Sequence, residues 1–375
     1  MSLLSFGFRP FFLLTAGYAV VALFYWGGVI ANIAVPWPSM GHHWHAGEMV
    51  FGWASGLVAG FLLTAVGNWT GRRVTTAGWL GLLAVLWLGG RLASWPTLDP
   101  NLPAAIIDGA FLPLLAITIA APIVQTRSWR NLFAPALVLL WASVHMAYHA
   151  FLLTDQAGLA LAAAGSGAWL LGTLLVIVTG RIVPFFTALK LGKTLTPRPR
   201  LGRGIALLAW LPPLLLAFAP AWANAVLLLA LAAALLLRQS EWAPLRAAGE
   251  PMLAVLHAGH LLLALAYLAA GLAQAGLALP ATFDLHLLTT GALGLLGIGM
   301  MARVTLGHTG RPIESDNAVL IAFLLVGIGA AARLASLFWP DPLLIGGAAW
   351  LWGAGFAVFL LRFAVPLATP RPDAG

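Results

Sequence analysis

Runs of about 20 mostly apolar residues follow one another along this chain of 375 residues, separated by short glycine-rich or proline-rich connectors. A hydrocarbon core about 30 Å thick is crossed by about 20 helical residues, so each run is long enough to span a bilayer. Hydrophobic residues make up 61% of the chain and charged residues only 8%, too few to cover a core of this size in water. The sequence therefore predicts an all-α polytopic membrane protein, with residues 1–375 in a single membrane domain.

About twelve spans are predicted, and the first is expected to be retained because no small-residue cleavage motif follows it. The seventh and eighth spans are short and rich in proline, which leaves open that they form one re-entrant pair. The predicted spans are residues 10–34, 45–66, 76–95, 104–124, 132–153, 157–180, 204–219, 221–238, 251–275, 282–303, 317–338 and 343–365.

The basic residues predict the orientation of these spans. If the N-terminus is cytoplasmic, all 19 lysines and arginines except Arg91 and Arg333 lie at cytoplasmic ends, as the positive-inside rule requires. An even number of spans places the C-terminus on the same side, so both termini are predicted to be cytoplasmic. The net charge of +8 is therefore explained by the basic residues at the cytoplasmic ends of the spans. Nucleic acid is not expected as a partner.

Two short motifs recur at a spacing of several spans. Thr-Gly-Arg occurs at residues 70–72, 179–181 and 309–311, each time four spans from the next copy and at the same face. Arg-Leu-Ala-Ser occurs at residues 91–94 and 333–336. These repeats predict three related four-helix units of parallel orientation, roughly residues 1–125, 126–240 and 241–375.

Histidines are the candidate ligands, because the chain has no cysteine to hold a metal or a cluster. His45 and His286 begin spans at corresponding positions of two repeats, which predicts that they face each other as axial ligands of a b-type haem. Arg91 and Arg333 also occupy equivalent positions. They are predicted to bind haem propionates, or else to form structural ion pairs, with Asp99, Asp108 or Asp341 as partners.

Two further histidine pairs lie within spans. His145 and His149 are spaced i, i+4, and His257 and His260 are spaced i, i+3, so each pair shares one helix face. A metal, a second haem or a hydrogen-bonded network within the bundle would each satisfy such pairs. Depth in the membrane separates the two pairs, so two separate sites are as compatible with the sequence as one.

Six segments resemble the NnrS family. They read GFRPFFLL at 7–14, WHAGEMVFG at 44–52, GFLLTAVGNWTGR at 60–72, GRIVPFFT at 180–187, LHAGH at 256–260 and MMARVTLGHTGR at 300–311. The resemblance implies a protein of the bacterial inner (cytoplasmic) membrane that contains haem b and copper. It further implies a role in denitrification and in the stress response to nitric oxide. The histidines that match the family pattern are His45, His149, His257, His286 and His308. His43, His145 and His260 form a second group of candidate metal ligands, which the family pattern does not supply.

One residue departs from the family pattern. The family usually has Trp-His-Ala-His-Glu-Met in the second span, and this chain has Gly47 at the second histidine. The departure puts copper in doubt unless His43 or His42 substitutes for the missing ligand.

The function implied is binding or reduction of nitric oxide, or of another small diatomic ligand, at a metal site within the membrane. The alternatives are a non-catalytic haem or copper sensor or chaperone, and a proton-coupled transporter whose histidines and acids relay protons. The sequence assigns no catalytic residue and no electron donor, so turnover by an oxidoreductase is left open. The architecture loosely resembles the catalytic subunits of haem–copper oxidases, which also carry haem ligands on spans two and ten.

Overall fold

The computed structural model describes residues 3–33, 41–95, 98–192, 195 and 198–371. It is 80% helical, and the described residues contain no strand. Within these described residues ten helices are long and apolar enough to cross a membrane, which confirms the prediction of an all-α polytopic membrane protein. In chain order the helices are α1 Phe8–Ile30, α2 His42–Thr70, α3 Ala77–Ala93, α4 Leu102–Gln125, α5 Trp129–Leu153, α6 Ala157–Leu191, α7 Pro199–Leu208, α8 Leu211–Leu215, α9 Ala221–Ser240, α10 Pro244–Ala247, α11 Pro251–Gln274, α12 Phe283–His308, α13 Asn317–Ala335 and α14 Pro342–Ala368.

Two of the predicted spans are not among those ten helices. The third span is α3, an apolar helix of 17 residues, which is at the lower limit of length for crossing a bilayer. The seventh span, predicted over residues 204–219, is two short helices, α7 and α8. Pro212 and Pro213 open α8, and because proline has no backbone N–H, neither can continue the hydrogen bonding of α7.

Polar residues in the connectors set several helix ends. The side chains of Thr76, Asn101 and Asp316 each accept a hydrogen bond from the backbone N–H three residues later, at the starts of α3, α4 and α13. After α2 the chain turns at Gly71, where φ is +64°, a left-handed conformation that glycine adopts without steric cost. These caps fix the starts of α3, α4 and α13 and the end of α2.

Two helices contain a wider π-helical turn near their starts. In α2 the π-helical segment is Glu48–Trp53, and in α12 it is Leu287–Leu293. The first begins three residues after His45 and the second directly after His286. π-Helical turns are rare and concentrate at functional sites, so their position beside two histidines is informative.

The chain divides into two compact units. Unit 1 comprises Met1–Gly167, Met301–Pro312 and Phe356–Gly375, and unit 2 comprises Ala168–Met300 and Ile313–Gly355. Helices α6, α12 and α14 contribute residues to both units. The sequence-based division into three four-helix units stays a prediction.

Within unit 1 the first helix meets the end of the last. The Nη1 atom of Arg9 donates hydrogen bonds to the carbonyl oxygens of Leu367, at 2.9 Å, and Thr369, at 2.6 Å. The last carbonyls of a helix have no partner within it and carry partial negative charge, so a buried guanidinium is stabilised there. The start of α1 and the end of α14 therefore lie together.

Within unit 2 the central pair of helices is α9 and α11. Gly271 of α11 lies against the side chain and backbone of Leu229 of α9, a close approach that a larger residue would prevent. This packing brings the C-terminal end of α9 beside the two histidines of α11. Gln239 illustrates the contact, since its Nε2 donates to the backbone carbonyl of His257 at 2.9 Å.

Candidate metal centre

Three side chains of unit 1 bring potential metal ligands together: Asp108 of α4 and His145 and His149 of α5. The i, i+4 spacing on α5 places both imidazoles on one helix face, as the sequence predicts. The Nε2 atoms of the two histidines are 3.1 Å apart. Oδ2 of Asp108 lies 3.3 Å from Nε2 of His145 and 3.2 Å from Nε2 of His149. The three ligand atoms thus form a nearly equilateral triangle.

The triangle is buried and its rings are held in place. The exposed fractions are 1% for His145, 5% for Asp108 and 7% for His149. Phe51, from the π-helical segment of α2, stacks on the ring of His145, with centroids 4.4 Å apart and planes inclined by 14°. This stacking fixes the ring plane of His145 and directs its Nε2 toward Asp108.

The other carboxylate oxygen of Asp108 is used by a buried arginine. Nη2 of Arg91, at the end of α3, pairs with Oδ1 of Asp108, and Nε of Arg91 lies 3.1 Å from Oε2 of Glu48. The hydroxyl of Tyr18 donates to the same oxygen of Glu48. Arg91 therefore orients Asp108 through Oδ1, as is usual for a carboxylate held by an outer partner. Oδ2 faces the two histidines and also accepts a hydrogen bond from the hydroxyl of Ser94 at 3.2 Å.

The ion pair depends on a glycine in α2. A Cβ atom at Gly52 would lie 2.5 Å from Nη1 of Arg91 and 2.6 Å from Oε2 of Glu48. Any side chain at this position would displace both groups. Arg91 also lies over the rings of Trp87 and Tyr18, with its Cζ 5.7 and 5.8 Å from the ring centroids. The guanidinium is thus enclosed by two carboxylates and two aromatic faces.

A cavity of about 330 Å³ borders the centre. Four of the 11 acidic residues of the chain line it, and its described lining contains no lysine or arginine. Glu48 and Asp108 are its buried acids, and Asp99 and Asp155 are exposed. A cavity with this lining attracts cations and repels anions.

Gly47, where the family pattern has a histidine, lies at the same cavity. A Cβ atom at this position would collide with the hydroxyl of Tyr148, which donates a hydrogen bond to the carbonyl of His43 at 3.0 Å. The space beside Gly47 is therefore occupied by a phenol of α5. His43 also lines the cavity, but it is not among the three atoms of the triangle.

The two histidines predicted as axial haem ligands, His45 and His286, belong to different units. In unit 1 His45 stacks on Trp26, with ring centroids 4.5 Å apart and an interplanar angle of 5°. His42 meets the same indole edge to face at 5.7 Å. In unit 2 Nδ1 of His286 lies 2.8 Å from the carbonyl oxygen of Thr282, so Nδ1 carries the proton and Nε2 is left as the basic nitrogen.

The remaining predicted ligands do not join the triangle. His308 packs in unit 1 against Phe8, with ring centroids 5.5 Å apart. His257 and His260 lie in unit 2, where Nε2 of His257 is 3.0 Å from the hydroxyl of Thr187 and Nδ1 of His260 is 3.2 Å from that of Thr179.

The two arginines at equivalent sequence positions have different partners. The ion pair of Arg91 with Asp108 is one of the two roles that the sequence left open. Arg333 donates to the hydroxyl of Ser336 at 3.0 Å, and no described carboxylate lies within ion-pair distance of it. Propionate binding by either arginine stays a prediction.

Sequence reasoning did not identify Asp108 as a ligand, nor Tyr18 and Tyr148 as parts of the centre. Asp108 was predicted only as an ion-pair partner of Arg91 or Arg333. The signal that could have found it is its position, because an acid inside an apolar span is costly unless it has a partner or a function.

The comparison with protein families gives one match, to the family described as NnrS protein, over residues 2–371. No curated protein matches the chain. The family match covers nearly all of the 375 residues, including every helix of both units, and the chain therefore belongs to the NnrS family.

Proposed function

We propose that this protein binds nitric oxide, or another small diatomic molecule, at a metal ion held within the membrane by Asp108, His145 and His149. Family membership supports the nitric oxide response as the biological setting. The observation that carries the proposal is the triangle of three ligand atoms 3.1–3.3 Å apart. An ion about 2.0–2.2 Å from each nitrogen and oxygen fits above such a triangle without rearrangement.

The ligand chemistry narrows the choice of metal. Two imidazoles and one carboxylate with open positions are typical of non-haem iron(II), and the same donors bind zinc and copper. A bound transition metal would supply open coordination positions at which a diatomic ligand binds and exchanges an electron. Copper, which the family resemblance implies, is thus a second candidate occupant of these three ligands even though Gly47 contributes none.

Charge balance in the cluster favours a cation. Two buried carboxylates, Glu48 and Asp108, face one guanidinium, that of Arg91, so the cluster carries an excess negative charge when both acids are ionised. Burying net charge is unfavourable, and a cation at the triangle offsets it. Without a metal, the Nε2 atoms of His145 and His149 and Oδ2 of Asp108 are close enough to need protons between them. A bound metal ion takes the place of those protons.

The acid-lined cavity gives a metal ion access to the centre. The exposed Asp99 and Asp155 at its rim raise the local concentration of cations, and the buried triangle lies at its inner wall. A volume of about 330 Å³ admits a hydrated ion or a diatomic molecule together with water. Tyr148, which fills the space beside Gly47, narrows the cavity on the side of α2.

Haem b is proposed separately, with His45 and His286 as axial ligands. Their positions beside the two π-helical turns support it, as does the hydrogen bond that leaves Nε2 of His286 available as a ligand. Arg333, with no described carboxylate partner, supports a role in holding a propionate. Replacing His45 or His286 with alanine should strongly reduce bound haem in protein that still inserts, and full haem occupancy in both variants would exclude this pairing.

We also propose the bacterial inner membrane as the location, with both termini cytoplasmic. The distribution of basic residues and the resemblance to the family support this orientation. A reporter fused after residue 375 should be active only as a cytoplasmic reporter. Periplasmic activity would show that the number of crossings is odd.

Metal analysis and spectroscopy of purified protein test the proposed function. We expect a transition metal in addition to any haem, and a change in the electron paramagnetic resonance spectrum of that metal when nitric oxide is added. A metal that nitric oxide does not perturb would favour the sensor or chaperone function. Absence of both metal and haem would favour the proton-coupled transporter, and either result would contradict the proposal.

A further inference from the structure

Unit 2 contains a buried arginine without an acidic partner. Arg238, near the end of α9, is 4% exposed. No described carboxylate lies within ion-pair distance of its guanidinium. A buried charge is unfavourable unless a partner compensates it, so this position calls for a negative charge that the described part of the chain does not supply.

The contacts of Arg238 within the protein compensate its positive charge only in part. Its Nη2 donates to the backbone carbonyl of Val176 at 3.0 Å, and its Cζ lies 5.2 Å from the ring centroid of Trp242. Both contacts stabilise a cation, but neither carries a formal negative charge. Its Nε atom is buried and has no hydrogen-bond partner among the described residues.

A further buried donor lies beneath this guanidinium. Trp242 is 0% exposed, and its indole Nε1 has no hydrogen-bond partner in the described structure. Its ring centroid lies 5.2 Å from Cζ of Arg238. Buried polar groups are almost always hydrogen-bonded, so two unsatisfied donors beside one charge indicate a missing acceptor.

The same cluster contains unsatisfied acceptors. The hydroxyl of Thr187 donates to Val183, so Nε2 of His257 donates to Thr187 and leaves Nδ1 as a bare acceptor. Nδ1 of His257 and Oε1 of Gln239 are both buried without a partner in the described structure. An occupant that satisfies the whole cluster therefore brings acceptors for Arg238 and donors for these two atoms.

We propose that the Arg238 cluster, formed by Arg238, Gln239, Trp242 and His257, binds a small monovalent anion together with water. The single uncompensated guanidinium sets the charge of the occupant, and the water supplies the donors. Every member of the cluster is at most 7% exposed, so we expect an occupant as small as nitrite, nitrate or a halide. A metal cation is disfavoured by the neighbouring positive charge. This site goes beyond the proposed function and does not depend on the metal centre.

Calorimetric titration of the detergent-solubilised full-length protein tests the proposal. Sodium nitrite, nitrate and chloride are titrated separately against a background of gluconate, an anion too large for the cluster. We expect saturable binding of at least one of the three, weakened about tenfold or more by Arg238→Gln, since a charged hydrogen bond is removed. Trp242→Phe, which keeps an aromatic ring beneath the guanidinium and removes the indole donor, should weaken binding several-fold.

The controls separate this site from other charges and from the metal centre. Arg246→Gln removes an exposed positive charge from the same unit and should leave binding unchanged. Asp108→Asn should also leave it unchanged, so failure of the metal centre would not imitate failure of this site. If Arg238→Gln does not fold, Trp242→Phe decides the outcome. No saturable binding of any of the three anions, or binding unaltered in the folded cluster variants, would overturn the proposal.

Discussion

Arg91 and Arg238 are both buried arginines near helix C-termini, one in each unit, and their surroundings differ in charge. Arg91 pairs with the carboxylates of Asp108 and Glu48. Arg238 has a backbone carbonyl and an indole ring, and no described carboxylate. One cluster therefore has two carboxylates for one guanidinium, and the other has a guanidinium with no described carboxylate.

The comparison shows that a buried arginine can be part of a site for a cation or of a site for an anion. The number of carboxylates beside it decides which. In unit 1 the second carboxylate makes the cluster suited to a metal cation, and the acid-lined cavity extends that preference to the surface. In unit 2 the missing carboxylate makes the cluster suited to an anion. The predictions that follow test this comparison.

The largest effect is expected from Asp108→Asn. The substitution removes a metal ligand and also one of the two carboxylates that contact the buried Arg91. We expect metal affinity to fall at least 100-fold and the free energy of unfolding to fall by about 1.5–3 kcal/mol, because Arg91 loses a charged hydrogen bond while Glu48 remains. Metal analysis and thermal unfolding in detergent measure the two effects. Asp155→Asn, an exposed acid at the same cavity, is the matched control, and equal metal content in the two variants would contradict the assignment.

The next effect is expected from His145→Ala and His149→Ala. Each should lower metal affinity roughly 10- to 100-fold, because two protein ligands hold the ion less firmly than three. His43 lines the same cavity, and His43→Ala should leave the metal affinity close to that of the wild type. Competition with a metal chelator measures the three constants. If the His43 variant lost as much affinity as the other two, the centre would lie nearer α2 than the triangle indicates.

A smaller effect is expected from Glu48→Gln. Glu48 contacts Arg91 and not the triangle, so its loss acts through the net charge and through the orientation of Asp108. We expect about a tenfold loss of metal affinity, the lower end of what outer partners of metal ligands contribute. Anion binding at the Arg238 cluster should not change. An unaltered metal affinity would show that the excess negative charge of unit 1 has no role in selectivity.

The smallest effect is expected at the rim of the cavity. Replacing Asp99 and Asp155 together with asparagine should slow metal uptake several-fold at low ionic strength and leave the equilibrium affinity almost unchanged. Stopped-flow measurement of uptake at low and high salt tests this expectation. A rate that is the same in the variant and the wild type at low salt would show that the ion reaches the centre by another path.

Much of the fold follows from the sequence because apolar length and charge asymmetry are local properties. Ten of the predicted spans are long helices, whereas the break between α7 and α8 follows from Pro212 and Pro213 and was predicted only as a shortened span. The π-helical turns of α2 and α12 were not predicted, because neither segment carries a residue type that demands one.

The candidate site was predictable only in part. The i, i+4 spacing shows that His145 and His149 share a face, because both are on one helix. The third ligand is on another helix, and which helices are neighbours is set by packing that a single sequence does not reveal. Asp108 could therefore be identified as a buried acid, but not as a ligand of these histidines. The filling of the space beside Gly47 by Tyr148 depends on packing in the same way.

The most direct test of the metal centre is X-ray absorption spectroscopy at the edge of the metal in purified, metal-loaded protein. The proposed centre predicts a first shell of nitrogen and oxygen ligands at about 2.0–2.2 Å, with outer-shell scattering from two imidazoles. The imidazole signal should fall by half in His149→Ala protein that retains metal. A first shell made only of a porphyrin and its axial ligands, unchanged in that variant, would contradict a metal held by Asp108, His145 and His149.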